Sequence, residues 1–175
     1  MSVLFQYNVD METSRITIRE IAADELEHGA EVIRESFKTV AKELGLNRDN
    51  IPNHPSFMTV EQLKQLIEKG IKYFGLFLDG KQIGSVAVEK SDDSVYFLQK
   101  LAVLPEYRQM GYGRKLTNFV IDYVKNNGCK KLALGIWDRQ AELKEWYRRL
   151  GFKVNSTREF EHLPLTVCLM DMEIS

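Results

Sequence analysis

The sequence predicts a mixed α/β domain in which a central sheet carries helices on both faces. Three observations predict it. Stretches of strict apolar–polar alternation recur along the chain, among them ITIREI at 16–21 and KLALGIW at 131–137. Between them lie apolar stripes at helical spacing, such as Leu26, Ala30, Ile33, Phe37, Ala41 and Leu44. Turn and cap residues separate the two kinds of segment at almost every boundary.

Taken in order, residues 16–21 read as a first strand, and Asp24 is placed to cap the helix that follows. LNRDNIPNHPSF, rich in Asn and Pro, is a loop. Thr59 with Gln62 three residues on makes a capping box, opening a short helix through Leu63, Leu66 and Ile67 to Gly70. Residues 73–78 and 82–88 are strands joined at Asp79-Gly80, a hairpin signal because both positions tolerate positive φ. Residues 95–104 form another strand, ended by Pro105. A helical stripe then runs from Leu116 through Phe119, Val120, Tyr123 and Val124, with Gly128 as its cap. After the strand at 131–137, Leu143, Trp146, Tyr147 and Leu150 mark a second such helix, stopped by Gly151. Residues 152–160 and 166–174 close the chain as two strands around HLPL. The predicted order is β-α-α-β-β-β-α-β-α-β-β.

Composition bounds the function. A chain of 175 residues suits a single domain, 1–175, with residues 1–14 as a flexible N-terminal tail. A net charge of −1, from 24 basic and 25 acidic residues, argues against a nucleic-acid or membrane partner. Cys129 and Cys168 stand far apart, and no basic leader precedes an apolar run, so reduced thiols in a cytoplasmic protein are expected. His28, His54 and His162 lack metal-ligand spacing, and no metal is expected. Any anion site must therefore be local.

RQMGYGRKL, residues 108–116, is where such a site is expected. Gly111 and Gly113 free the backbone at a strand-to-helix junction, so that successive N–H groups turn inward around an anion. The helix that follows aims its positive end at the same spot. Arg108, Arg114 and Lys115 add mobile cations. Two other phosphate motifs fail: Leu116 occupies the third small position of a dinucleotide fingerprint, and the spacing of a P-loop is absent.

The whole stretch LQKLAVLPEYRQMGYGRKL resembles motif A of the GCN5-related N-acetyltransferase (GNAT) family, with Arg108, Gly111 and Gly113 in the R/Q-x-x-G-x-G/A places. LKEWYRRLGFK resembles that family's later motif, a Tyr-bearing helix ending in L-G-F. The element order is similar throughout. The resemblance implies the GNAT acyl-CoA N-acyltransferase fold and acetyl-CoA as cosubstrate. It places the pantetheine arm on the backbone of Leu101, Ala102 and Val103, an arrangement that suits an unpaired strand edge. It places the pyrophosphate on Arg108, Gln109, Met110, Gly111, Tyr112, Gly113 and Arg114. Tyr147 becomes the acid that protonates the departing thiolate, and Gln140 stands where members often carry a cofactor-contacting Asn.

Departures from the pattern bear on the chemistry. Gln99 stands where many members carry a Glu base, and Gln accepts no proton from an ammonium. Glu159, Glu161 and His162 are the remaining candidates for a base acting through water. The expected activity is transfer of an acetyl group from acetyl-CoA to a primary amine of a small molecule or peptide, by direct attack in a ternary complex. The alternative is a non-catalytic acyl-CoA-binding or sensing module of the same fold. The acceptor is expected between the first two helices, the Asn/Pro loop and HLPL. Sheet edges of this kind also leave a homodimer open.

Overall fold

A computed structural model describes residues 15–175; the expected N-terminal tail, residues 1–14, lies outside the described residues. Seven strands form one sheet in the order β1-β2-β3-β4-β5-β7-β6. They are β1 (Ile16–Glu20), β2 (Lys72–Leu78), β3 (Lys81–Lys90), β4 (Val95–Val103), β5 (Lys131–Trp137), β6 (Lys153–Arg158) and β7 (Val167–Glu173). The helices are α1 (Leu26–Leu44), α2 (Val60–Glu68), α3 (Tyr112–Asn126) and α4 (Ala141–Arg149). The observed order is the predicted one once the short 3₁₀ turns are set aside.

Local chemistry explains most boundaries. Thr59 Oγ1 accepts from the Gln62 N–H at 3.1 Å while Gln62 Oε1 accepts from the Thr59 N–H at 2.9 Å, which is the reciprocal box. Asp79 and Gly80 take φ of 50° and 83°, as their hairpin turn requires. Asp24 does not cap α1. It falls in a 3₁₀ turn, Ala23–Glu25, and Glu25 instead receives the Ala22 N–H at 2.9 Å and both Arg19 guanidinium nitrogens at 2.7 Å. The 3₁₀ turn puts Asp24 ahead of the helix start, and the α1 N-cap position is taken by Glu25, without a side-chain cap bond. The helix after the glycines opens at Tyr112, four residues before its apolar stripe, because the cap is Gly111 itself.

The pleat divides the core between two faces. Ala30, Ile33 and Leu63 from α1 and α2 pack on Tyr73 and Ala87. Leu116, Val120 and Val124 from α3 pack on Val86, Val88 and Leu98, the alternate side chains of the same strands. Among the described residues no helix is long and apolar enough to cross a membrane, and no group of His, Cys, Asp or Glu is placed to hold a metal ion.

Every neighbouring pair of strands is antiparallel except β4 and β5. This parallel pair is short: Val95, Tyr96 and Phe97 register with Lys131, Leu132 and Ala133, and pairing stops there. Both strands continue, β4 to Val103 and β5 to Trp137, so the sheet is split down its middle toward their C-terminal ends.

Candidate active site

The split opens a cleft of roughly 1470 Å³. Its floor is β4 beyond Phe97, whose β5-facing N–H and C=O groups have lost their ladder partners. On its other edge β4 stays bound to β3 but slips register: Ala87 faces Gln99, then Ser85 faces Ala102. Val86 thus opposes both Lys100 and Leu101, and Lys100 absorbs the extra residue with φ of 49°. Gly84 lets the two strands approach; a Cβ there would lie 2.8 Å from the Ala102 carbonyl oxygen. The family resemblance implied a freed strand edge here without fixing the residue that makes the bulge. Its signal was Gln99-Lys100, two adjacent polar residues that break the alternation of an otherwise apolar strand.

The glycine turn closes one end. Gln109 and Gly111 take φ of 60° and 86°, an alternation that turns successive N–H groups toward one side. The first-turn amides of α3 follow without intrahelical acceptors. Gln109, Gly111, Gly113 and Arg114 line the cleft; Met110 and Tyr112 do not. Met110 is 60% exposed, and the Tyr112 ring packs edge-on to Tyr107. Gly113 serves differently from the expectation. It has no positive φ, and a Cβ there would meet the Trp146 ring at 3.4 Å, an ordinary contact, so the position lies where α3 and α4 come together.

Arg108 also requires a correction, since it is no mobile cation. Its guanidinium donates to Ser36 O at 2.6 Å, Thr39 Oγ1 at 2.9 Å and Val103 O at 3.0 Å, tying the end of β4 to α1. Its own N–H caps the 3₁₀ turn Pro105–Tyr107. Arg114 is the cation left at the turn's cleft side.

On the opposite wall, α4 presents Tyr147, which is 3% exposed and lines the cleft. Its ring packs edge-on to Trp146 and Phe152, with centroids 4.8 and 5.4 Å away. The phenol makes no hydrogen bond among the described residues, and burial raises its pKa above the ordinary tyrosine range. It is a held, protonated donor. Gln140 is the N-cap of α4 and also lines the cleft, without a side-chain cap bond.

The cleft is lined further by Phe37 and Val40 of α1, by Ile51, Asn53 and His54 of the Asn/Pro loop, and by Leu163 of the β6–β7 loop. Of the segments named from the sequence for the acceptor, α1, the Asn/Pro loop and HLPL contribute lining residues, and α2 does not. Glu159, Glu161 and His162 are exposed and do not line the cleft. His54, 3% exposed, accepts the Ser56 N–H on Nδ1 at 3.2 Å, and burial lowers its pKa. It is therefore a neutral imidazole with its proton on Nε2. Gln99 Nε2 donates to Glu89 Oε2, and Gln99 Oε1 accepts from Lys100 Nζ at 3.2 Å.

A strand edge with free amide and carbonyl groups, leading into a nest of N–H groups at a helix N-terminus, matches a ligand that is an amide chain ending in phosphates. That architecture defines the acyl-CoA N-acyltransferase fold. The chain belongs to the acetyltransferase (GNAT) family: that family's model matches residues 38–152, spanning α1 to the start of β6. A probable N-acetyltransferase, camello, of Xenopus tropicalis is 35% identical over 78 residues, covering 43% of this chain and 36% of that protein. The chain spans about a third to a half of the length of the curated relatives it matches. Among solved structures, the PaiA N-acetyltransferase of Thermoplasma acidophilum in complex with coenzyme A superposes with a TM-score of 0.77 at 23% identity, over 90% of this chain and 98% of that one. The ribosomal-protein-S18-alanine N-acetyltransferase of Escherichia coli superposes with a TM-score of 0.73 at 20% identity, over 91% of this chain and 94% of that one. At these identities the likeness is one of fold.

Proposed function

We propose that this protein transfers an acetyl group from acetyl-CoA to a primary amine bound in the same cleft, by direct attack in a ternary complex. The observation that carries the reading is the split between β4 and β5, which puts an unpaired backbone edge, an anion nest and a buried phenol on one continuous surface. Acetyl-CoA would supply an activated thioester, whose carbonyl carbon bonds to the amine nitrogen as its carbon–sulfur bond breaks.

The chain's own residues do the rest. The freed edge of Leu101, Ala102 and Val103 holds the pantetheine amides. A donor on that edge steadies the negative charge developing on the carbonyl oxygen, a contribution of about 3 kcal/mol for one well-aimed N–H. The amides of residues 109–114 hold the pyrophosphate, with Arg114 as the accompanying cation and Gln140 flanking. The acceptor ammonium sheds one proton to solvent through the open cleft before attack. Tyr147 then gives its proton to the sulfur and regains one from the attacking nitrogen, so the phenol is restored each cycle.

The test is Tyr147→Phe. Turnover falls at least about tenfold while the affinity for acetyl-CoA stays near that of the original protein. Because the phenol oxygen has no hydrogen-bond partner among the described residues, its removal shifts stability by less than about 0.5 kcal/mol. Unchanged turnover would refute the acid. A protein that binds acetyl-CoA, seen as a raised melting temperature, yet releases no CoA with any amine is the binding module instead.

A further inference from the structure

Lys100 is a cation in an unusual place. It stands at the left-handed bulge residue, directly before the Leu101–Val103 edge, and its side chain lines the cleft. Its nearest polar partner is the neutral Gln99 carbonyl at 3.2 Å, and among the described residues no carboxylate lies within ion-pair distance of it. Glu89, on the neighbouring strand, binds the Gln99 amide and acts on Lys100 only through its charge, beyond ion-pair distance. A desolvated ammonium with no direct ion pair is costly, and burial, only partly offset by the Glu89 charge, lowers its pKa. An anion arriving in the cleft removes that cost.

The surroundings define what the anion is attached to. On this side of the cleft, Phe37, Val40, Ile51 and Phe97 form apolar walls, and His54 is held neutral. Among the described residues that line this side, Lys100 and Arg108 are the cations, and the Arg108 guanidinium is already engaged by Ser36, Thr39 and Val103. The carboxylates that line the cleft, Glu142 and Glu145, stand on α4. Such a pocket repels a polycationic acceptor and gives it no partner for its distal charges.

Resting on the reading above, we propose that the acceptor is a free α-amino acid with a bulky apolar side chain. Its carboxylate pairs with Lys100, and its side chain lies among Phe37, Val40, Ile51 and Phe97. In an α-amino acid the amine and the carboxylate are one carbon apart. Anchoring the acid on Lys100 therefore keeps the nitrogen beside the strand edge where the thioester carbonyl is held. Gln99 and Glu89 act as positioning residues: the Glu89 carboxylate fixes the Gln99 amide so that its carbonyl oxygen faces Lys100.

The experiment measures CoA release from acetyl-CoA with L-phenylalanine, L-leucine, phenethylamine (phenylalanine without its carboxylate) and spermidine. The original protein, Lys100→Met and Lys100→Arg are compared. For the original protein, kcat/KM for phenylalanine or leucine exceeds that for phenethylamine by at least about tenfold, and spermidine is poorest. Lys100→Met erases that advantage, chiefly through KM, while phenethylamine stays within about threefold; Lys100→Arg keeps part of it. Preference for spermidine or phenethylamine overturns the proposal, as does a Lys100→Met loss equal for both aromatic amines. If Lys100→Met does not fold, the phenylalanine-to-phenethylamine ratio of the original protein decides alone. Release with an amine but with neither amino acid sinks the acceptor class and leaves acetyl transfer standing; silence with every probe sinks both.

Discussion

Arg108→Ala separates two accounts of the same residue. In one it is a free cation waiting for phosphate; in the other, which the geometry supports, it is a brace. Three donors on one guanidinium reach Ser36 O, Thr39 Oγ1 and Val103 O at 2.6, 2.9 and 3.0 Å. Hydrogen bonds from a charged donor are worth about 1.5–3 kcal/mol each when buried. Arg108 is an exposed residue by area, so each is discounted to about 1 kcal/mol, and the variant loses about 2–3 kcal/mol. For a chain of this size that is a drop in melting temperature of about 5–10 °C. Arg108→Lys recovers little, since an ammonium cannot span three acceptors in a planar fork. The assay pairs thermal unfolding with calorimetric binding of CoA and of pantetheine at low and high salt. A brace at the end of β4 weakens both ligands by a similar small factor, with the salt dependence of CoA binding unchanged. An unchanged melting temperature, with a loss of affinity confined to CoA and largest at low salt, would refute the reasoning.

Three further outcomes follow from particular contacts. Gly84→Ala drives a Cβ to 2.8 Å from the Ala102 carbonyl, so it costs about 1–3 kcal/mol by denaturant unfolding and raises KM for acetyl-CoA by displacing the strand edge. Gly111→Ala forces a side chain into φ of 86° and costs about 1 kcal/mol; calorimetry shows weaker CoA binding, whereas a variant as tight as the original would mean the turn is not the phosphate nest. Glu25 is held by Arg19 and the Ala22 N–H at a pKa of about 2, below the ordinary carboxyl value. Its contribution is therefore complete above about pH 4.3 and lost as the pH falls toward about 2. After solvent screening this is about 1 kcal/mol, and Glu25→Gln flattens that part of an acid-unfolding curve; an unchanged slope would disprove the linkage.

Period and punctuation were legible in the chain itself. Leu132, Leu134 and Ile136 alternate and are buried as the alternation requires; Thr59 and Gln62 cap α2; Asp79-Gly80 turns the hairpin. These are local properties: a strand's facing, a cap and a tight turn each depend on residues within a few positions of one another. Arg108, Gly111 and Gly113 could likewise be recognised as a motif, because the nest is built from consecutive amides.

The tertiary structure decided what those residues do. Gly113 lies against Trp146, thirty-three positions away in sequence, and Arg108 is bound to Ser36 and Thr39 of a helix about seventy residues earlier. Where β4 parts from β5 depends on strands that meet only after α3 has crossed between them, and no local pattern encodes that point. Lys100 shows the limit most sharply. In the sequence it is one lysine among many, with the charge face of a solvated strand. Only the bulge, set by the register of β3 against β4, turns it into the cleft, where among the described residues it has no direct ion pair. Burial and pairing are properties of neighbours that the chain brings together from a distance, so the chemistry of the site had to wait for the fold.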